Sequence, residues 1–369
     1  MALNPQWSPP RVWFLTALDD TDAMTTFEQN QYDRQVARWL LLCATVVFGM
    51  ILLGGVTRLT HSGLSMVDWR PLVGVIPPIG EQEWMATFDK YKQFPEYQKI
   101  NKGMSLDGFK VIFMYEYLHR VLGRLIGVLF AIPFFYFALR KRLRPGLTPH
   151  LAILLMMGGL QGLLGWYMVK SGLVDNPRVS QYRLAAHLGV AVAIYTYIVW
   201  LVLELRPAAQ AGLAGVRRYA RWTPLLICLI YLMILSGALV AGTRAGLVYP
   251  TWPLMGDSFV PPGLYAMNPA WLAAFEDVVT IQFNHRIFAY LLFLVLNLFA
   301  FLVYRHAPVG RLRTAAVLLV VVLWLQVVLG ISTLLQQVPV WLGAAHQGGA
   351  VLLLTAMLYL SHCMVRPRS

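Results

Sequence analysis

Apolar residues run along this chain in long unbroken blocks rather than as a stripe on one face of a helix. Eight such blocks lie near 39–57, 112–138, 149–170, 184–204, 222–242, 281–304, 314–335 and 341–364. Each is close to the roughly 20 residues that a helix needs to cross a bilayer. A membrane barrel would show short alternating segments instead. The pattern predicts an all-α polytopic membrane protein with eight transmembrane helices. The polar stretch 1–37, with Asp19, Asp20 and Asp22, has no basic segment leading into an apolar one, so it reads as a cytoplasmic tail rather than a signal peptide.

Composition agrees with this. Hydrophobic residues make up 58% of the 369 positions and charged residues only 13%, against about 25% charged in soluble domains. Mean hydropathy is +0.59. The net charge of +13 could suggest nucleic acid, but its distribution argues for none. Arg140, Lys141, Arg142 and Arg144 follow the second block. Arg206, Arg217, Arg218 and Arg221 follow the fourth, Arg305, Arg311 and Arg313 the sixth, and Arg366 and Arg368 the eighth. Basic residues on alternate loops predict that both termini are cytoplasmic. A bacterial inner (plasma) membrane is the expected location. Cys43, Cys228 and Cys363 each stand alone in an apolar block, so no disulfide or cysteine metal motif is expected.

The blocks repeat. EYLHRVLGRL at 116–125 parallels QFNHRIFAYL at 282–291, LQGLLG at 160–165 parallels LQVVLG at 325–330, and LAAHLGVAV at 184–192 parallels GAAHQGGAV at 343–351. The order is the same in both halves, which predicts two repeat-related four-helix bundles of parallel topology. The divisions are a tail 1–37, a first bundle 38–204, a basic linker 205–221, a second bundle 222–364 and a tail 365–369.

Four of the eight histidines fall at matched positions of this repeat: His119, His187, His285 and His346. Each opens a span that runs inward, so all four are expected near the periplasmic face. His61, His150, His306 and His362 have no such match and read as ordinary loop or span-end residues. Two imidazoles from two helices of one bundle can clamp a haem iron, whereas zinc needs three or four protein ligands. Four residues after each of the four stand Gly123, Ala191, Ala289 and Ala350, small enough to leave room for a macrocycle. Arg58, Arg120, Arg183, Arg244 and Arg286 are candidate partners for propionates, which guanidinium pairs well; interfacial anchoring is the plain alternative for each.

The halves differ beside the first histidine. Glu116 stands three residues before His119, and Gln282 three residues before His285. This spacing puts the side chain on the ligand's own face. An acid at membrane depth suits proton chemistry, and a neutral amide suits electron transfer. Chemistry is expected in the first half and electron relay in the second, unless Glu116 merely pairs with Arg120 or Arg124.

MSLDGFKVIFMYEYLHRVLGR at 104–124, GGVTRLTHSGLSMVDWRPLVGVIPP at 54–78, TRAGLVYPTWPLMG at 243–256, FNHR and GAAHQ together resemble the haem A synthase family. FPEYQKIN at 94–101 resembles the long-first-loop branch of that family, which lacks the outer-loop cysteine pairs of other members. The resemblance implies oxidation of a methyl group of haem O to the formyl group of haem A, for cytochrome c oxidase assembly. It implies haem O, and haem A as product, between His119 and His187, with Glu116 as the essential acid. It also implies a haem b cofactor on His285 and His346. Partners in line with it are membrane lipid, a haem O synthase and oxidase assembly factors. The electron acceptor, the source of the oxygen and any homo-oligomer stay open. A diheme b-type cytochrome moving electrons between quinone and a periplasmic partner would need the same four histidines but not a one-sided acid. A transporter would call for broken mid-span helices, whereas the proline-rich stretches at 71–78 and 253–262 lie in outer loops and are expected to cap the bundles.

Overall fold

The computed structural model of the chain describes residues 13–67, 76–172, 179–206 and 215–365. Among them every regular element is helical: α1 (Trp13–Leu59), α2 (Glu81–Lys92), α3 (Pro95–Lys99), α4 (Leu106–Leu139), α5 (Leu147–Gly172), α6 (Gln181–Glu204), α7 (Arg217–Ala220), α8 (Thr223–Thr243), α9 (Ala273–Glu276), α10 (Val278–His306), α11 (Arg311–Leu335) and α12 (Val340–Val365). Eight are long and apolar enough to cross a membrane, and they coincide with the eight predicted blocks. The chain is therefore an all-α, multi-pass membrane protein.

The helices extend beyond the apolar blocks because polar caps set their ends. Ser105 opens α4 by accepting from the Gly108 N–H at 3.1 Å, Ser180 opens α6, and Asp277 opens α10 by accepting from the Thr280 N–H at 2.8 Å. Such side chains satisfy the free N–H groups of a first turn. α1 begins at Trp13, so the stretch expected as a polar tail is helical from that residue onward. α1 and α8 are each followed by a residue in the left-handed region, His61 at φ 54° and Arg244 at φ 60°.

α1, α4, α5 and α6 pack in succession, with α6 returning to α1. α8, α10, α11 and α12 do the same, with α12 returning to α8. The two sets meet where α1 packs on α12 and α6 packs on α8 and α12. A large apolar core fills the space between the long helices. A smaller one, built on Phe88, Tyr91, Phe109, Ile112 and Phe113, lies where α2 covers the start of α4. The expected cap at 71–78 lies outside the described residues as far as 75, as does the linker between 207 and 214 and the tail from 366.

Candidate functional site

His119, His187, His285 and His346 lie in the leading part of α4, α6, α10 and α12. All four are half-buried although they sit within long apolar helices. Within each expected pair the two imidazoles are near enough to feel one another's charge, His119 with His187 and His285 with His346. α1 ties the pairs to a common level. Its Ile51 carbonyl accepts from Gln347 Nε2 at 2.7 Å, beside His346, and one turn along Gly54 faces His119.

Each ring leans on a glycine of the neighbouring helix. A Cβ on Gly54 would lie 3.2 Å from His119 Cε1, on Gly165 3.1 Å from His187 Cε1, on Gly237 3.5 Å from His285 Cε1, and on Gly330 2.7 Å from His346 Cε1. At Gly330 a side chain would clash outright, at Gly54 and Gly165 it would crowd the ring, and at Gly237 it would make an ordinary contact. Behind the second ring of each pair stands a glutamine. Gln161 Nε2 donates to the His187 carbonyl at 3.0 Å, and Gln326 Nε2 donates to the His346 carbonyl at 3.0 Å. Both contacts hold the backbone that carries the imidazole. Ser236 Oγ lies 3.0 Å from His285 Nδ1. The Nδ1 atoms of His119, His187 and His346 are buried with no hydrogen-bond partner among the described residues.

A buried ring nitrogen without a partner is costly. Here the cost recurs at repeat-matched positions and points to something the rings are built to meet. Among the described residues no three or more His, Cys, Asp or Glu converge to hold a metal. Two facing imidazoles need further donor atoms to complete a coordination sphere, and a porphyrin brings four. Each histidine pair would suit a metal group that brings its own further donor atoms.

Glu116 is buried and fully engaged. Oε2 accepts from Ser65 Oγ and from the Met66 N–H, both at 2.8 Å, and Oε1 meets Arg120 Nη2. Arg120 also donates to the Met66 carbonyl at 2.9 Å. The pairing with Arg120 that the sequence allowed is therefore present, and three donors converge on the carboxylate. The second half builds the same frame around an amide. Arg286 donates to the Tyr249 carbonyl at 2.8 Å and to the Leu254 carbonyl at 3.2 Å, and Gln282 Nε2 donates to the Tyr249 carbonyl at 3.1 Å. Tyr249 follows Met66 by 183 residues, the offset that also separates Gly54 from Gly237.

The remaining arginine candidates sit at the ends of α1, α6 and α8. Arg58 reaches across to the carbonyls of Ala241 at 3.2 Å and Gly242 at 2.9 Å. Arg244 reaches back to His61, with Nη2 3.1 Å from Nε2. Arg183 lies over the Tyr167 ring, 4.6 Å from its centroid. The Nε atoms of Arg58 and Arg286 are buried without an acceptor among the described residues, so these two guanidinium groups keep a donor to spare. His61 is thus more than a loop residue. Burial, then the charges of Arg244 and Arg58, push its pKa down to about 4. His150 pairs with the Tyr197 hydroxyl, His306 with the Leu302 carbonyl, and His362 lies 3.9 Å from Glu204; these are ordinary polar contacts. All three cysteines are free.

The four glycines and the glutamines Gln161 and Gln326 escape the sequence reading. The signal was there for four of the six: Gln161 with Gly165, and Gln326 with Gly330, fall in the repeated LQxxLG motif. The small residues one turn after each histidine are less telling. A Cβ on Gly123 would meet only the flexible end of Met50, at 3.4 Å.

Comparison with known proteins is consistent with this geometry. The family model of the COX15-CtaA cytochrome oxidase assembly proteins matches residues 37–358. A heme A synthase of Nitrosospira multiformis is 48% identical over 340 residues, 91% of this chain and 95% of the relative. One of Paramagnetospirillum magneticum is 47% identical over 345 residues, 91% and 96% of the two chains, and one of Parvibaculum lavamentivorans is 44% identical over 355 residues, 95% and 98%. The diheme electron-transfer cytochrome finds no support in these relatives.

Proposed function

The chain belongs to the COX15-CtaA family of cytochrome oxidase assembly proteins, and from that membership we propose that it is a haem A synthase. Its substrate is haem O, its product haem A for cytochrome c oxidase, and the changed group is one methyl, oxidised to formyl. We read the chain as two repeat-related bundles with both termini in the cytoplasm of a bacterial cell and the histidine pairs toward the outer face of the inner membrane.

Haem O is held between His119 and His187, which fix the ring so that a methyl group faces Glu116. Methyl to formyl is a four-electron oxidation. Positive charge develops at the ring and its methyl as electrons leave. A carboxylate already oriented by Ser65, the Met66 N–H and Arg120 stabilises that charge without reorganising. Its second task is to accept a proton from the reacting methyl carbon. Balanced with water as the oxygen source, two hydroxylations would release four electrons and four protons and give a geminal diol, which loses water to leave the aldehyde. His285 and His346 hold a haem b, which supplies electron-carrying chemistry when bound. Arg58 and Arg286, with donors to spare, are the first choice for propionates.

One observation carries the reading: matched arginine-to-carbonyl frames in the two halves enclose a carboxylate in the first and an amide in the second. The test is an absorption spectrum of the purified protein, followed by pyridine extraction of its pigments. Haem O or haem A together with haem b is expected. A preparation that yields haem b alone, even when its host makes haem O, would overturn the assignment.

A further inference from the structure

The seam between the halves carries two arginines that cross it in opposite directions. Arg58, near the end of α1, reaches into the second half. Its Nη2 donates to the Ala241 carbonyl at 3.2 Å and to the Gly242 carbonyl at 2.9 Å, both at the end of α8. Arg244 follows α8 and reaches back, with Nη2 3.1 Å from His61 Nε2 and 3.3 Å from Nδ1. His61 and Arg244 both hold the left-handed backbone, which turns the chain sharply after each helix.

These contacts hold the guanidinium groups but do not neutralise them. A carbonyl and a neutral imidazole accept hydrogen bonds and carry no net charge. Among the described residues no carboxylate lies within ion-pair distance of Arg58 or Arg244. An acid at the same corner, Glu276, is already engaged by Gln181 Nε2 at 2.9 Å and by the Tyr182 hydroxyl. Gln181 in turn packs on Gly242, where a Cβ would lie 2.7 Å from its Cα. Arg58 also keeps its Nε buried with no acceptor among the described residues. A clamp that served the seam alone would not leave a buried cationic donor unmet. Arg244 is exposed, so the corner is open on its outer side.

We propose that Arg58, Arg244 and His61 form one anion-binding site, assembled by both halves, that takes a carboxylate or phosphate group. Guanidinium forks offer paired donors to a group with several oxygens. His61 acts as a neutral acceptor that holds Arg244 in place. In line with this, burial and the two arginine charges push its pKa down to about 4. The proposal rests on the seam geometry and goes beyond the reaction above.

Two sources can supply such a group. The spans of α1 and α8 end at Leu59 and Thr243, which puts the site at the level of lipid headgroups, and basic pockets between spanning helices take anionic headgroups. Arg58 also lies one turn beyond Gly54, which faces His119. Ala241, whose carbonyl it meets, lies one turn beyond Gly237, which faces His285. A propionate of a haem held in either pocket is the second source.

The test uses the full-length protein in nanodiscs, with R58Q and R244Q. R244Q removes an exposed side chain and serves if R58Q does not fold. The first arm is thermal unfolding of the holoprotein in phosphatidylglycerol and in phosphatidylcholine. A lipid phosphate in the site should raise the wild-type Tm in phosphatidylglycerol by about 2–4 °C, and both variants should lose that gain. The second arm compares protein reconstituted with haem b or with its dimethyl ester, which has no carboxylates. A propionate in the site should make wild type retain haem b about tenfold more tightly than the ester, the worth of one charge-assisted hydrogen bond, and the variants should hold both alike. If neither preference differs between wild type and variants, the arginines only clamp the seam and the proposal is wrong. If wild type binds neither haem b nor its ester, the proposed function falls and the lipid arm still decides the site.

Discussion

The two halves of the chain build nearly the same pocket wall and fill it differently. Beside His119, an arginine braced on the Met66 carbonyl meets a carboxylate, and the two charges cancel. Beside His285, an arginine braced on the Tyr249 carbonyl shares that carbonyl with an amide, and its positive charge remains. One atom type at one position, oxygen for nitrogen, therefore decides which half can take up a proton. It also decides which half offers a positive surround, which favours the reduced state of a bound redox centre. In the proposed function, this single divergence is what assigns different work to the two halves.

The largest effects should come from the imidazoles. His346→Ala is expected to remove the haem b signal while haem O or haem A can still be extracted, and His119→Ala to do the reverse. Absorption spectra with pigment extraction decide it; loss of both pigments from either single variant would mean that the halves are not separate sites. Next comes Glu116→Gln, which makes the first half resemble the second. Conversion of haem O should fall by about 10²- to 10⁴-fold, the usual worth of a positioned acid or base, with pigment still bound. The reciprocal Gln282→Glu should gain no conversion. It should lower the reduction potential of the second site, since a carboxylate beside Arg286 cancels the charge left there.

A smaller and graded effect is expected at the glycines. Gly330→Ala would put a methyl 2.7 Å from His346 Cε1, whereas Gly237→Ala would put one 3.5 Å from His285 Cε1, an ordinary contact. Overpacking of the first kind costs about 1–3 kcal/mol and should tilt the ring, lowering haem b content. The second should bind pigment normally. Equal losses at both sites would show that ring contact is not what these glycines provide.

Much of this was legible because the bilayer enforces it. An apolar block of sufficient length has few alternatives to a spanning helix, and a histidine repeated at one depth stands out against such a block. The Glu116 and Gln282 contrast was legible for the same reason. What stayed hidden depends on contact between distant segments. A glycine in a membrane helix most often serves close helix packing, and only the facing ring distinguishes Gly165 or Gly330 from that. Glu96 lies in a charge-balanced loop where an acid reads as solvated, yet it is buried and accepts from the Tyr91 hydroxyl, which cannot be read from its neighbours in sequence. The helical start of α1 at Trp13 was hidden because polar residues there carry no apolar period.

The seam between the halves gives the smallest prediction and the one most sensitive to acid. His61 and Arg244 hold equivalent positions, 183 residues apart, each in the left-handed region after its helix, and they touch. Burial and the charges of Arg244 and Arg58 put the folded pKa of His61 at about 4, below the roughly 6.5 of an unfolded histidine. Between these values the unfolded chain binds a proton that the folded chain does not. The contribution of neutral His61 is therefore complete above about pH 6.5 and is lost as pH falls through about 4. His61 is half-buried, so solvent screens part of the effect. His61→Asn is the informative variant, because asparagine tolerates the left-handed backbone and does not titrate. Thermal unfolding should show a steeper fall in Tm between pH 7 and pH 4 for wild type than for this variant. Parallel curves would mean that His61 bears no strain from the two arginines, and that the halves are joined at this edge by Arg58 and its two carbonyls alone.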